Sequence, residues 1–218
     1  MDDVQVDKGN EAGTARLWAG IEAAFSRLCD ACAARKAVPL LEADVAGYLY
    51  YLLVSEGAGE AGRVHLSTRL AATDGREKYD LVIGDILEPD TLKRLFIERA
   101  GDKIDDGMRK LILSRSMRSG FRPAVRGELV LEFKHFAAGF DPQQLRVHAA
   151  QAMDDVRKLS KLAWLCSGGR GVVLFDEKGF LRDRWLERIV AVRGDGDSGL
   201  RLYLFEPDDR GTLGWRRL

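Results

Sequence analysis

The spacing of apolar residues changes period several times along the chain, and each change marks a predicted element. From Thr14 to about Ala34, Leu17, Ile21, Phe25, Leu28 and Cys32 recur at helical spacing, which predicts one amphipathic helix. After a break near Lys36 and Pro39, a second helical pattern runs from about Leu41 to Ser55 through Val45, Tyr48, Leu49, Leu52 and Leu53. The glycines of Glu56-Gly-Ala-Gly-Glu-Ala-Gly62 end it. The period then drops to two. Arg63-Val-His-Leu-Ser-Thr-Arg-Leu70 alternates as a half-buried strand does, Asp74-Gly75 marks a turn, and Tyr79-Asp-Leu-Val-Ile-Gly84 is a short apolar strand with one acid near its start.

Residues 88–115 return to helical spacing through Leu92, Leu95, Phe96, Met108, Leu111 and Ile112. A loop is predicted over Gly120 to Gly127 and a strand over Glu128 to Phe136. A long helix follows from Gln143 to Cys166, ended by Ser167-Gly-Gly169. Gly171-Val-Val-Leu-Phe-Asp176 is a buried strand, Leu181 to Val192 suits helix or strand, Leu200 to Phe205 is a late strand, and Gly214 to Leu218 suits an edge strand. The predicted class is α/β, with a mixed central sheet flanked by helices. Residues 1–13 are polar and predict a flexible tail, and residues 14–218 predict a single domain.

Composition narrows the classes. At 46% hydrophobic and 31% charged residues the chain is globular in type. Its 34 basic and 34 acidic residues cancel, so attraction to nucleic acid must come from local clustering. Three cysteines are no disulfide framework and suit a reducing cytosol, which sets the expected location as cytoplasmic. The acidic N-terminus has no apolar signal region, and no apolar run is long enough for a membrane span, so no membrane partner is expected.

The chemistry concentrates in Glu128-Leu-Val-Leu-Glu-Phe-Lys134. A strand's period puts Leu129, Leu131 and Phe133 on one face, and Glu132 and Lys134 on the other. If the strand that carries Asp80 lies next to this one, Asp80 and Glu132 converge on one cation, and Lys134 sits beside its water or a substrate phosphate. Hard carboxylate oxygens suit Mg2+, with Mn2+ as a substitute. Phosphodiester cleavage uses such parts: a metal for the charge that develops on phosphoryl oxygens, and a lysine near the attacking water.

With Asp80 in Tyr79-Asp-Leu-Val-Ile and Glu132-Phe-Lys134 before a helix, the sequence resembles the PD-(D/E)XK, or restriction-endonuclease-like, nuclease superfamily. The resemblance covers about Leu40 to Asp176. It implies a restriction-endonuclease-like core and metal-dependent hydrolysis of nucleic-acid phosphodiester bonds, DNA ahead of RNA. It implies catalytic residues Glu42, Asp80, Glu132 and Lys134, and Mg2+ held by Asp80, Glu132 and the Phe133 carbonyl. Glu42 corresponds to an acid of an upstream helix, with Asp44 as the alternative there. The later helix offers Gln144, Gln151, Asp155, Lys158 and Lys161, one of which sometimes joins such sites. Tyr79 stands where the signature has proline. The 51 residues between Asp80 and Glu132 imply a helical insertion between the second and third strands, over residues 85–127.

Residues 107–127 contain Arg109, Lys110, Arg115, Arg118, Arg122 and Arg126 and no acid, and are candidates for a phosphate backbone. The alternative is a solvated basic face paired with Asp102, Asp105 and Asp106. Cutting both strands of a duplex takes two sites, which allows for a homodimer. The rival function is a nuclease-fold module without turnover that binds nucleic acid or protein. Cys29-x-x-Cys32 lies within a helix with no second pair, and Ser167-Gly-Gly-Arg-Gly171 lacks a phosphate-loop lysine, so neither predicts a site. His65, His135 and His148 form no metal-ligand spacing. Trp164 and Trp185 are assigned to the core, and Trp18 and Trp215 to core or partner contacts.

Overall fold

Six strands pair in the order in which they occur in the chain, β1-β2-β3-β4-β5-β6. The computed structural model describes residues 8–36, 42–55, 63–70, 78–101, 105–113, 124–162, 166, 168–182, 185–194 and 199–218. The elements are α1 (Lys8–Ala33), α2 (Glu42–Ser55), β1 (Val64–Thr68), β2 (Tyr79–Leu87), α3 (Pro89–Ala100), α4 (Asp106–Leu113), β3 (Ala124–Phe136), α5 (Pro142–Ser160), β4 (Gly169–Asp176), α6 (Leu186–Arg193), β5 (Leu200–Pro207) and β6 (Leu213–Arg217). β1, β2 and β3 are antiparallel in turn, β3, β4 and β5 run parallel, and β6 returns antiparallel. Parallel neighbours need crossovers, and α5 and α6 supply them. The chain is thus a mixed α/β protein, with a six-stranded sheet flanked by helices.

Strand periodicity divides the core. Leu81, Ile83, Leu129, Leu131, Phe133, Val173, Phe175, Tyr203 and Phe205 pack with α1 and α2 on one face. Val82, Val130, Val172, Leu174, Leu202 and Leu204 pack with Ala149, Ala152, Val156 and Leu159 of α5 and with Ile189 of α6 on the other. The parallel strand β4 is buried along its whole length, as strands covered on both faces are.

Helix α5 is fixed at both ends. Its N-cap Asp141 accepts from the backbone N–H groups of Gln143 and Gln144, and the Gln144 side chain accepts from the Asp141 N–H, a full capping box ahead of Pro142. At the other end the buried Arg170 donates to the carbonyls of Leu159 (3.0 Å) and Ser160 (3.2 Å), which the helix leaves without partners. The β2–β3 ladder carries one irregularity, between Ile83 and Gly84. There a Cβ on residue 84 would lie 2.1 Å from the Arg126 carbonyl oxygen, so only glycine fits.

Several expectations move. Helix α1 starts at Lys8, inside the stretch expected to be a tail; residues 1–7 lie outside the described residues. The expected loop over 120–127 is strand from Ala124 on. β2 and β3 continue to pair through Asp85↔Arg126, Ile86↔Val125 and Leu87↔Ala124, so the sheet takes in both ends of the expected insertion 85–127. The long helix closes at Ser160 because Arg170 caps it there, and residues 181–192 resolve into helix only from Leu186. Trp18 belongs to the core: its indole donates to the Gly168 carbonyl at 2.8 Å, and Trp215 packs against the same cluster. Trp164 and Ser167 lie outside the described residues.

Phe25 is fully buried and lies edge-on to Tyr203, Phe205 and Trp215, so it joins α1 to β5 and β6. Phe25→Ala is expected to cost about 3–5 kcal/mol, the range for a large aromatic lost from a core. Urea unfolding followed by circular dichroism checks this; a loss under about 1 kcal/mol would mean that α1 is not docked as described.

Candidate active site

The β2–β3 register builds the site. Leu81 faces Leu131, and the next step along the ladder sets Asp80 opposite Glu132 on the α5 face. The 51-residue gap in the sequence therefore closes to neighbouring strands. Directly opposed acids are unfavourable in a sheet, and here the strands stop pairing. The Asp80 carboxylate instead accepts from the Phe133 N–H at 2.8 Å, and its charge acts on the Glu132 carboxyl. Two neighbouring acids relieve their repulsion when one of them keeps its proton.

Glu132 is 3% exposed. Burial pushes its carboxyl up to about 9, the Asp80 charge adds to the rise, and Lys158 works against it. The Lys158 ammonium contacts the Glu132 Oε1 atom, donates to the Lys78 carbonyl at 3.3 Å and lies 4.2 Å above the Tyr79 ring.

Lys134, two residues on, points to the same face and is held from both layers of helices. Its Nζ lies 3.3 Å from a carboxylate oxygen of Glu42 in α2 and 3.3 Å from one of Asp155 in α5, and donates to the Phe133 carbonyl at 3.2 Å. Burial pulls the Lys134 pKa down, but Asp155 and Glu42 outweigh it and hold the ammonium above its ordinary range. Burial raises the Asp155 carboxyl in turn, against the pull of Lys134. Glu42 opens α2, where an acid also suits the helix N-terminus, and it accepts from the His135 N–H at 3.4 Å.

Four carboxylates (Glu42, Asp80, Glu132 and Asp155) thus meet two ammoniums (Lys134 and Lys158). A surplus of acid in a half-dry setting suits a hard divalent cation. Among the described residues no group of three or more His, Cys, Asp or Glu forms a ready-made cage. The fitting donors are two carboxylates, Asp80 and Glu132, and the Phe133 carbonyl. That carbonyl accepts from the Lys134 Nζ, beyond the last β2–β3 pair, Leu81↔Leu131. Few protein oxygens with water completing the shell is the habit of a small, reluctantly dehydrated ion.

The sequence pattern missed Lys158 as a contact of Glu132, and named Asp155 only as one of several polar residues of its helix. Their spacing of three puts both on one side of α5. Of the basic stretch, the described residues Arg109, Lys110 and Arg126 make no contact with this site. Arg126 lies eight positions before Lys134 on β3, about 26 Å away at about 3.3 Å per residue, with Asp85 3.7 Å from its guanidinium. Arg109 of α4 donates to the Gly101 carbonyl at 2.8 Å, and Lys110 is exposed on the same helix. Arg115, Arg118 and Arg122 lie outside the described residues. His135 is taken by Glu177 at 2.9 Å. Cys29, Cys32 and Cys166 are free; burial pushes the Cys29 thiol up to about 12 and the Cys166 thiol up to about 11, so neither is a ready thiolate. Among the described residues no helix is long and apolar enough to cross a membrane.

The sequence matches no protein-family model and no curated protein. Among solved structures, that of Pyrococcus furiosus SfsA in complex with Ca2+ aligns with this chain at 11% identity and a TM-score of 0.32. The alignment covers 79% of this chain and 62% of the length of that one.

The acid pair makes metal-free stability depend on pH. Glu132 holds its proton up to about 9 when folded, against an ordinary value of 4.5. Between these values the folded state binds more protons than the unfolded one, so this contribution is full below 4.5 and is lost as pH rises towards 9. Thermal melts in EDTA should therefore show stability falling across that window, and E132Q should flatten the slope. An unchanged slope in E132Q would mean that another group sets it.

Proposed function

We propose that the protein is a metal-dependent nuclease that hydrolyses nucleic-acid phosphodiester bonds, with DNA as the first substrate to test and RNA the second. One observation carries this reading: Asp80 and Glu132 face each other at the end of two neighbouring strands, with the Lys134 ammonium beside them. Asp80, Glu132 and the Phe133 carbonyl would hold Mg2+, or Mn2+ in its place. When bound, the ion offsets charge on the phosphoryl oxygens and acidifies its water.

The protein's own groups do the positioning. Lys134 stays protonated because Asp155 and Glu42 hold it so. It therefore acts as a cation that attracts and orients the phosphate and the attacking water, and not as the base that removes a proton. Glu42 acts by aiming Lys134, with no second ion required of it. Lys158 holds the Glu132 side chain in place.

A second reading rests on that same lysine. An ammonium seated on Glu132 is what a nuclease-fold module without turnover would use to neutralise a relic acid pair. Such a module would bind oligonucleotides equally well with Mg2+ or EDTA and cleave none.

D80N, E132Q and K134M should each remove Mg2+-dependent cleavage of single- or double-stranded DNA while leaving the circular dichroism spectrum unchanged. The loss for K134M should be about 10²-fold or more, the scale for removing one group that stabilises charge in the transition state. Gel assays with Mg2+ and Mn2+ on DNA and RNA decide the matter; wild-type protein that cuts nothing, or D80N that cuts as well as wild type, ends the nuclease reading.

A further inference from the structure

A cleft of about 650 Å3 opens beside Lys134. Neither Asp80 nor Glu132 lines it, so it is a chamber next to the acid pair. Its volume falls in the range of small-ligand pockets, with room for a nucleotide.

The walls are of two kinds. One carries Lys134 with its two acids, Glu42 and Asp155. The other is aromatic: the half-buried Phe140 ring lies 4.4 Å from that of His148 at an interplanar angle of 49°, and Gln151 stands exposed three residues further along α5. The His148 Nδ1 atom is buried and has no hydrogen-bond partner. Burial lowers the His148 pKa, with Lys134 and His135 adding to the fall against Glu42, so the ring is a neutral imidazole near pH 7.

Charge decides which part of a nucleotide enters. Lys134 alone in the lining suits a phosphate, and the acidic walls around it, Glu42, Asp154 and Asp155, disfavour a second anion inside the cleft. They accept a flat, uncharged ring with donor groups on its edge. Resting on the nuclease reading, we infer that the cleft is a nucleobase subsite: one unpaired base next to the scissile phosphate stacks on Phe140 and His148 and turns its edge to Gln151. Bases inside a duplex are not free to do this. The substrate is therefore single-stranded nucleic acid, or a strand whose base has left its stack.

The test uses the full chain in EDTA and a fluorescein-labelled single-stranded oligodeoxynucleotide. A second probe carries 2-aminopurine, whose emission falls on stacking, and the matched duplex serves as the control. F140A should weaken single-strand binding by roughly 5- to 150-fold, the scale of one base–aromatic stack. It should abolish the 2-aminopurine quench and leave duplex binding unchanged, while F140W should restore both. If F140A loses its native circular dichroism spectrum, H148A takes its place with the same outcomes. A variant that binds and quenches like wild type overturns the subsite, and Mg2+-dependent cleavage by that same protein keeps the nuclease reading standing. Wild-type protein that neither binds nor cleaves any oligonucleotide overturns both.

Discussion

Two carboxyl groups opposite each other on adjacent strands, one of them 3% exposed, form the constraint around which this end of the molecule is organised. Such a pair is stable only with a proton, an ammonium or a metal between or beside its members. The fold supplies the first two itself. Glu132 retains a proton to about 9, and Lys158 comes in from α5. The Asp80 carboxylate finds relief where β2 stops pairing, in the Phe133 N–H that the ladder leaves over. None of these contacts makes the protein more stable than an apolar strand end would. Keeping them costs stability, the pattern expected where a site is retained for something other than folding.

Helix α5 sets the geometry. Asp155 meets Lys134 and Lys158 meets Glu132, so one turn of helix addresses both of these β3 residues. That register depends on the helix neither sliding nor fraying. The Asp141 capping box fixes its start, the buried Arg170 fixes its end, and Ala149, Ala152, Val156 and Leu159 seat it on the sheet. Glu42 approaches from the opposite layer, so Lys134 is held between helices that share no contact with each other's core cluster.

Much of this was legible in the sequence. The change from helical to strand period marks every strand of the sheet, and the two-residue spacing of Glu132 and Lys134 places both on one face before any fold is known. Asp80 was legible as an acid at a strand start, but its partner was not, because register comes from pairing energetics spread over Leu81, Val82 and Ile83. The ends of elements were least legible. The Asp141 and Gln144 box was present in the letters, but the stop at Ser160 depends on Arg170, a residue beyond the helix itself. Lys158 could not be picked out, since one lysine on an amphipathic helix resembles the next until the sheet beneath it is known. Arg126 shows a related limit: nearness in sequence to Glu132 and Lys134 is not nearness in space, because β3 itself separates them.

Helices α3 and α4 fall in the chain between Leu87 and Ala124, which pair with each other at the end of β2 and β3 far from Asp80 and Glu132. The chain thus departs and returns through adjacent gates. A loop of a few residues would join them without altering the register between Leu81 and Leu131. Evolution can therefore lengthen, replace or delete this whole segment as a cassette while the acid pair keeps its geometry.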